Sequence, residues 1–141
     1  MLAGFNLLLW TTHLKEELLP QCQAIKSAGY DGVEIPVFEG DPAHFKAMGA
    51  RLNDMGLRRT AVGIVQSPEA NPMSLNLAAR EAGLDHLKWM VECCAEAGVE
   101  LLCGPFHGPL GIFTGTGPTE RELEVLAQSH RQMARVAHDA G

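Results

Sequence analysis

The sequence has few basic residues, no long apolar run and no cysteines at metal-binding spacing, and each absence excludes a class of protein. Its 141 residues include 11 Lys and Arg against 17 Asp and Glu, which gives a net charge of −6. Nucleic-acid binding needs clustered cations, and the basic residues are scattered here, with Arg58-Arg59 the nearest approach to a cluster. The longest apolar stretch, around residues 7–10, is far shorter than the ~20 residues of a membrane span. We therefore expect neither nucleic acid nor a membrane as a partner.

None of the four cysteines lies in a CxxC or other zinc-binding spacing; they are Cys22, Cys93, Cys94 and Cys103. The chain is 46% hydrophobic, which suffices for a core at this length. The cysteines are therefore predicted to be buried free thiols of a reducing compartment. The chain does not begin with a basic segment, an apolar run and a small-residue cleavage site, so no secretory signal is expected. Together these features predict a cytoplasmic location.

A repeated glycine pattern divides the chain. Ala-Gly or Met-Gly precedes an apolar run at residues 28–29, 55–56 and 97–98, and another Ala-Gly pair stands at 140–141. Each glycine is placed where a helix would end in the left-handed conformation, which glycine adopts at little cost. The last pair predicts that a fifth strand would begin after residue 141.

Helices and strands alternate along the sequence. Apolar residues at helical spacing predict amphipathic helices between the glycine pairs. Asp41 before Pro42 marks one helix start, and Thr119 with Glu122 has the spacing of a capping box. Short apolar strands are predicted at residues 5–10, 33–36, 60–65 and 101–104. Continuous apolar runs are typical of parallel strands covered on both faces, so the predicted order is βαβαβαβα.

Two α/β architectures fit this order. An open doubly wound sheet usually carries a phosphate-binding loop such as GxGxxG after its first strand, and the sequence has none. A TIM barrel needs eight βα units and ~250 residues, about twice the length available. The predicted fold is therefore α/β, the (βα)4 half of a TIM-type (βα)8 barrel with parallel strands and outer helices. We expect one N-terminal half-barrel over residues 1–141, with units of approximately 1–29, 30–56, 57–98 and 99–141.

The residues most able to carry chemistry lie where the predicted strands end, because TIM barrels place their active sites there. Glu34 lies inside an apolar strand, where an unpaired buried carboxylate is costly. It therefore either faces the barrel mouth or forms a structural ion pair, and both alternatives remain open. His107 stands between two Gly-Pro turns that restrict the backbone, so it either contacts a ligand or packs against Phe106. His13, at a helix start, is expected to be solvated, and the other histidines lack ligand spacings such as HExxH.

Four segments of the sequence follow one another in the order seen in a known family. They are GFNLLLWTT at residues 4–12, GYDGVEIP at 29–36, GLDHLK at 83–88 and LCGPFHGP at 102–109. In combination they resemble the ketose 3-epimerases of the D-tagatose/D-psicose type, within the xylose isomerase-like TIM barrels. The resemblance covers the N-terminal half of such an enzyme.

This resemblance implies a reaction. Family members epimerise a ketose at C3 through an enediolate, with a divalent cation, Mn²⁺ or Mg²⁺, holding adjacent sugar oxygens while two glutamates move the proton. Their metal ligands and catalytic glutamates come from strands five to eight. We therefore expect no catalytic residue and no metal ligand in this chain, and no cation bound by it alone. The residues that carry over form the wall of the sugar pocket: Asn6, Glu34, Gly63, Gly104 and His107.

The leading hypothesis is thus the substrate-pocket half of a sugar isomerase or epimerase, with a small-molecule sugar as its ligand and no activity by itself. A second hypothesis is a catalytically inactive half-barrel that self-associates into a homo-oligomer. Four parallel strands alone would leave open edges and a bare apolar interior, which favours pairing with another copy. A third, an endonuclease-like relative on the same barrel, is disfavoured by the low basic content.

Overall fold

Four parallel strands form one sheet in the order β1-β2-β3-β4 in the computed structural model, which describes residues 1–141. The strands are β1 (Gly4–Asn6), β2 (Gly32–Pro36), β3 (Arg58–Val62) and β4 (Leu102–Cys103). The helices are α1 (Leu19–Ser27), α2 (Pro42–Asp54), α3 (Leu77–Ala97) and α4 (Glu120–Asp139). Each strand is therefore followed by a helix, and the predicted βαβαβαβα order is confirmed. None of the helices combines the length and apolar character that a membrane span requires.

The chain is organised into two compact units. The first contains Met1–Gly63 and Glu92–Cys103, and so holds the whole sheet, α1, α2 and the end of α3. The second contains Ile64–Val91 and Gly104–Gly141, with most of α3 and all of α4. The single half-barrel domain and its four sequence units stay predictions.

The two faces of the sheet differ in the first unit. Val33, Ile35 and Ala61 are buried and share one face through the two-residue alternation of strands. On the opposite face, Glu34 is half-buried and Arg58 is exposed. This alternation differs from the continuous, doubly covered strands predicted from the sequence, because one face packs on helices and the other is open.

Arg59 ties the covered face of β3 to the helices. Its side chain is only 8% exposed and donates to the Gly49 carbonyl at 3.0 Å and to Asn53 Oδ1 at 2.8 Å, both in α2. It also donates to the Gly98 carbonyl at 3.2 Å. Burial lowers the pKa of the Arg59 guanidinium. A buried cation is retained here because three oxygens accept its hydrogen bonds.

The helix ends and starts follow the predicted pattern. The backbone has a positive φ at each of the four predicted helix-ending glycines, Gly29, Gly56, Gly98 and Gly141. Asp41 Oδ1 accepts from the His44 N–H at 2.9 Å at the start of α2. Thr119 and Glu122 form the predicted capping box at the start of α4, and the backbone N–H of Thr119 lowers the pKa of Glu122.

The first strand is shorter than predicted. β1 ends at Asn6, and a single turn of 3-10 helix follows at Leu7–Leu9. Asn6 Oδ1 accepts from the Leu8 N–H at 2.8 Å, and this cap turns the chain out of the sheet. Leu7 is fully buried while Leu9 is 73% exposed. The predicted strand over residues 5–10 is wrong beyond Asn6, because an apolar run does not reveal such a local cap.

Candidate functional site

A row of polar side chains crosses the open face of the sheet, with one residue from each strand. This polar row consists of Asn6 on β1, Glu34 on β2, Thr60 on β3 and Cys103 on β4. Asn6 is paired with Glu34, and Glu34 with Thr60, in the parallel register of the strands. Cys103 joins the row through its thiol, which contacts Glu34. The sheet therefore gathers four polar groups from distant parts of the chain around one carboxylate.

The two oxygens of Glu34 have unequal surroundings. Oε2 accepts a short hydrogen bond of 2.6 Å from Asn6 Nδ2. Oε1 lies 3.5 Å from Thr60 Oγ1 and 3.5 Å from Cys103 Sγ. No ion pair is formed by the Glu34 carboxylate. Asn6 of the first strand holds it by a hydrogen bond instead, so both the pocket role and a structural role of Glu34 stay open.

Cys103 differs from the other cysteines. All four are free, and Cys22, Cys93 and Cys94 are buried as predicted, but Cys103 is exposed. The prediction of burial was wrong at Cys103 because its side chain belongs to the open face of β4. Partial desolvation and the neighbouring Glu34 carboxylate raise the pKa of the Cys103 thiol. The thiol therefore stays protonated near neutral pH and serves as a donor.

A cavity of about 380 Å³ adjoins the polar row. Its lining includes Asn6, Glu34 and Thr60 but not Cys103, and it extends towards the amino ends of the strands at Arg58 and Glu100. Arg58 Nε donates to Glu100 Oε1 at 2.8 Å, and the Arg58 Nη2 group contacts the second oxygen of Glu100. This pairing raises the pKa of Arg58 and lowers that of Glu100. The only arginine side chain exposed on this face is thus already engaged by a carboxylate.

The five predicted pocket residues fall into two groups. Asn6 and Glu34 are joined directly by a hydrogen bond, and Gly63 is connected to the polar row because its N–H donates to the Cys103 carbonyl at 2.9 Å. Gly104 and His107 belong to the second unit, and both are exposed there. Their role in a sugar pocket remains a prediction.

Thr60 and Cys103 were missed as candidate site residues. Both lie within runs that look apolar in the sequence, and neither residue type marks a ligand site by itself. The period-two alternation Arg58, Thr60, Val62 would have placed Thr60 on a polar face. The register that sets it beside Glu34 depends on long-range pairing, and no local pattern reports it.

His13 differs from its prediction as a solvated helix residue. It forms an isolated antiparallel bridge with Val37, and its ring stacks on His44 with centroids 4.3 Å apart. Burial, and secondarily His44, lowers the pKa of His13. His44 Nε2 lies within hydrogen-bonding distance, 2.8 Å, of the Leu14 carbonyl oxygen. The lowered pKa keeps His13 neutral at neutral pH, and its ring packs against His44 within the first unit.

The divalent cation implied by the family resemblance does not fit the residues of this chain. No group of three or more His, Cys, Asp or Glu side chains lies close enough together to hold a metal ion. The polar row itself contains one carboxylate, Glu34, and one protonated thiol, Cys103.

Comparisons with solved structures show a shared fold. This chain superimposes over 100% of its length on 48% of an L-ribulose 3-epimerase, with a TM-score of 0.86 and 21% identity. It covers 49% of a Methylomonas sp. D-allulose 3-epimerase in complex with D-allulose, with a TM-score of 0.85 and 22% identity over 100% of this chain. A Clostridium cellulolyticum H10 D-psicose 3-epimerase with D-tagatose superimposes with a TM-score of 0.84 and 19% identity. The superposition covers 100% of this chain and 50% of that enzyme. The chain thus spans about half the length of these structures.

Sequence comparison assigns the family. No curated protein sequence matches the chain significantly. The profile of the xylose isomerase-like TIM barrel family matches it over residues 22–141. The parallel sheet, the alternating helices and the half-length superpositions confirm the predicted (βα)4 half of a TIM-type barrel. The chain belongs to the xylose isomerase-like TIM barrel family.

Proposed function

We propose that this chain supplies the substrate-pocket half of a sugar isomerase or epimerase, and that the reaction is C3 epimerisation of a ketose. Its family and the fold that it shares with several ketose 3-epimerases support this reaction class. The observation that carries the proposal is the Glu34 carboxylate. It lies on the open face of the sheet, held by Asn6 and not neutralised by a cation. Such a group accepts hydrogen bonds from the hydroxyls of a sugar.

The other proposed pocket residues differ in how accessible they are. Gly104 is exposed and has no side chain, so a ligand is able to approach its backbone. Gly63 is buried, and its N–H already donates to the Cys103 carbonyl. His107 is exposed and its imidazole both donates and accepts hydrogen bonds. We retain Gly63, Gly104 and His107, with Asn6 and Glu34, as the pocket residues that the family resemblance implies.

Proton transfer at C3 requires a base on one side of the sugar and an acid on the other. The polar row supplies one carboxylate, Glu34, and that carboxylate is engaged by Asn6. We therefore expect residues 1–141 alone to show no epimerase activity with added Mn²⁺, and the remaining half of the barrel to supply the catalytic pair and the metal ligands. Metal-dependent turnover by the isolated chain would contradict this division. The four free thiols support a cytoplasmic location.

A chimeric barrel tests the function. Residues 1–141 replace the matching half of a D-psicose 3-epimerase, and conversion of D-fructose to its C3 epimer is followed by NMR with Mn²⁺ present. We expect turnover, and we expect Glu34→Gln to lower kcat/KM at least about tenfold while shifting Tm little. Glu81→Gln is the matched control, because Glu81 is exposed on α3. A folded chimera without turnover contradicts the proposed function. If Glu34→Gln lowers Tm but leaves kcat/KM unchanged, the role of Glu34 is structural.

The second candidate, a self-associating and inactive half-barrel, is supported by the edges of the sheet. β1 and β4 are each paired on one side only, and open parallel edges favour pairing with another chain. The expected bare apolar interior is not observed, because the open face carries the polar row. For a chain of 15.2 kDa, sedimentation should show a closed dimer of about 30 kDa. A folded monomer rejects this candidate.

A further inference from the structure

We infer that Glu34 presents one oxygen, Oε1, to a hydroxyl of a neutral sugar, that Thr60 and Cys103 line this position, and that Asn6 is the positioning residue that holds the other oxygen. The inference rests on the proposed function, because it names the atoms that receive the sugar within the same site. It adds Thr60 and Cys103 to the pocket and excludes a charged group of the ligand from this position.

The carboxylate is held firmly on one side only. Asn6 Nδ2 donates to Oε2 at 2.6 Å, and Asn6 Oδ1 accepts from the Leu8 N–H at 2.8 Å. Because the amide is bound at both ends, Asn6 does not rotate away from Glu34 without losing both hydrogen bonds. Oε2 therefore already accepts one strong hydrogen bond, and Asn6 sets the direction in which Oε1 points.

Oε1 is weakly satisfied by comparison. Its neighbours are the Thr60 hydroxyl and the Cys103 thiol, each at 3.5 Å, a distance at which hydrogen bonds are weak. A thiol is moreover a poor donor. A sugar hydroxyl donating at the ordinary 2.5–2.7 Å of a charge-assisted O–H···O⁻ bond would interact more strongly. The sugar hydroxyl thus replaces the two 3.5 Å contacts of Glu34 Oε1 with one short hydrogen bond.

The charges around the cavity select a neutral ligand at this position. Glu34 repels an anionic group, and Arg58, which lines the same cavity, is already paired with Glu100. The lining contains two further charged residues, Asp31 and Arg59. Asp31 also repels an anion, and the Arg59 guanidinium is already engaged by the oxygens of Gly49, Asn53 and Gly98. Asn6 and Thr60 are neutral. The volume of about 380 Å³ lies within the range of small-molecule sites. We therefore assign this position to a hydroxyl of an unphosphorylated ketose.

Cys103 provides a direct test with the 141-residue chain itself, because it is the only exposed cysteine. Its alkylation by iodoacetamide at pH 8 is measured by mass spectrometry with increasing D-fructose or D-fructose 6-phosphate. N-acetylcysteine in the same solution controls for viscosity, and Cys103→Ser identifies the labelled site. We expect D-fructose to slow the labelling of Cys103 severalfold, and D-fructose 6-phosphate to slow it less.

Three variants assign the protection to the proposed atoms. Glu34→Gln and Thr60→Val are expected to weaken protection by D-fructose. Asn6→Asp retains the oxygen that caps Leu8 but lacks the donor to Glu34, so it separates positioning from capping and should also weaken protection. Circular dichroism establishes that each variant is folded. Absent protection of the parent chain, or equal protection in folded Glu34→Gln, overturns the inference, and parent-like protection in Asn6→Asp overturns the positioning role.

The same measurements distinguish this inference from the proposed function. Turnover by the chimeric barrel without protection that depends on Glu34 would reject the inference and retain the function. Protection that depends on Glu34, in a chimera that folds but does not turn over D-fructose, would reject the function and retain the binding assignment.

Discussion

The Cys103 thiol lies 3.5 Å from Oε1 of Glu34, although β3 separates their two strands in the sheet. The contact forms because both side chains lie on the open face and the intervening residue, Thr60, is short. Glu34 consequently contacts side chains from all three other strands of the sheet. This relationship makes the ionisation of Cys103 a reporter of the charge on Glu34.

Replacing Glu34 by Gln should make Cys103 more reactive. The Glu34 carboxylate contributes to the raised pKa of the Cys103 thiol, so removing the charge lowers that pKa and increases the thiolate fraction at pH 8. We expect iodoacetamide to label Cys103 severalfold faster in the variant, with the pH profile displaced to lower pH. The exposed Glu81→Gln substitution should leave the profile unchanged. An unaltered profile in Glu34→Gln would contradict electrostatic contact between the two groups.

Replacing either of the two adjacent arginines of β3 by Met should have very different effects on the free energy of unfolding. Arg59→Met leaves the oxygens of Gly49, Gly98 and Asn53 without their donor, and we expect unfolding free energy to fall by about 2–4 kcal/mol. Arg58→Met, on the exposed face, should cost much less, because its pair with Glu100 is solvated. Urea denaturation of both variants tests this, and equal losses would contradict the difference between the faces.

Two glycines on neighbouring strands provide a matched test of close packing. A Cβ at Gly32 would lie 2.5 Å from the Arg58 carbonyl oxygen, whereas a Cβ at Gly4 would lie 3.7 Å from the Gly32 carbonyl oxygen. Gly32→Ala should therefore reduce unfolding free energy by about 1–3 kcal/mol, since strand backbones must separate. Gly4→Ala should be close to neutral. Thermal denaturation distinguishes them, and a neutral Gly32→Ala would contradict the close approach of β2 and β3.

Alkaline pH should destabilise the chain through its buried thiols. Burial raises the pKa of Cys93 and Cys94 from an ordinary value of 9.0 to about 12. Between these values the unfolded chain loses thiol protons that the folded chain keeps, so the unfolded state binds fewer protons and the free energy of unfolding falls as pH rises. Urea denaturation at pH 8, 9 and 10 should show this decline. The decline should be shallower in Cys94→Ala, and an identical pH dependence would exclude Cys94 as its source.

The candidate site was only partly accessible from sequence. Glu34 stood out because a carboxylate within an apolar strand requires a specific environment, and Asn6 came from the family resemblance. Thr60 and Cys103 gave no comparable indication, since Thr is common in strands and an isolated Cys usually packs in a core. Their relevance depends on strand register, which joins residues far apart in the chain.

The sequence by itself determined the order of strands and helices and the places where helices begin and end. These features depend on interactions over a few residues, such as the Asp41 and Thr119 caps and the left-handed glycines at 29 and 56. Tertiary structure decided the end of the first strand at Asn6, the burial of Arg59 and the exposure of Cys103. It also decided that Glu34 has one firmly held and one weakly held oxygen. These outcomes required long-range pairing of strands and packing of helices on one face alone, which no local pattern of residues encodes.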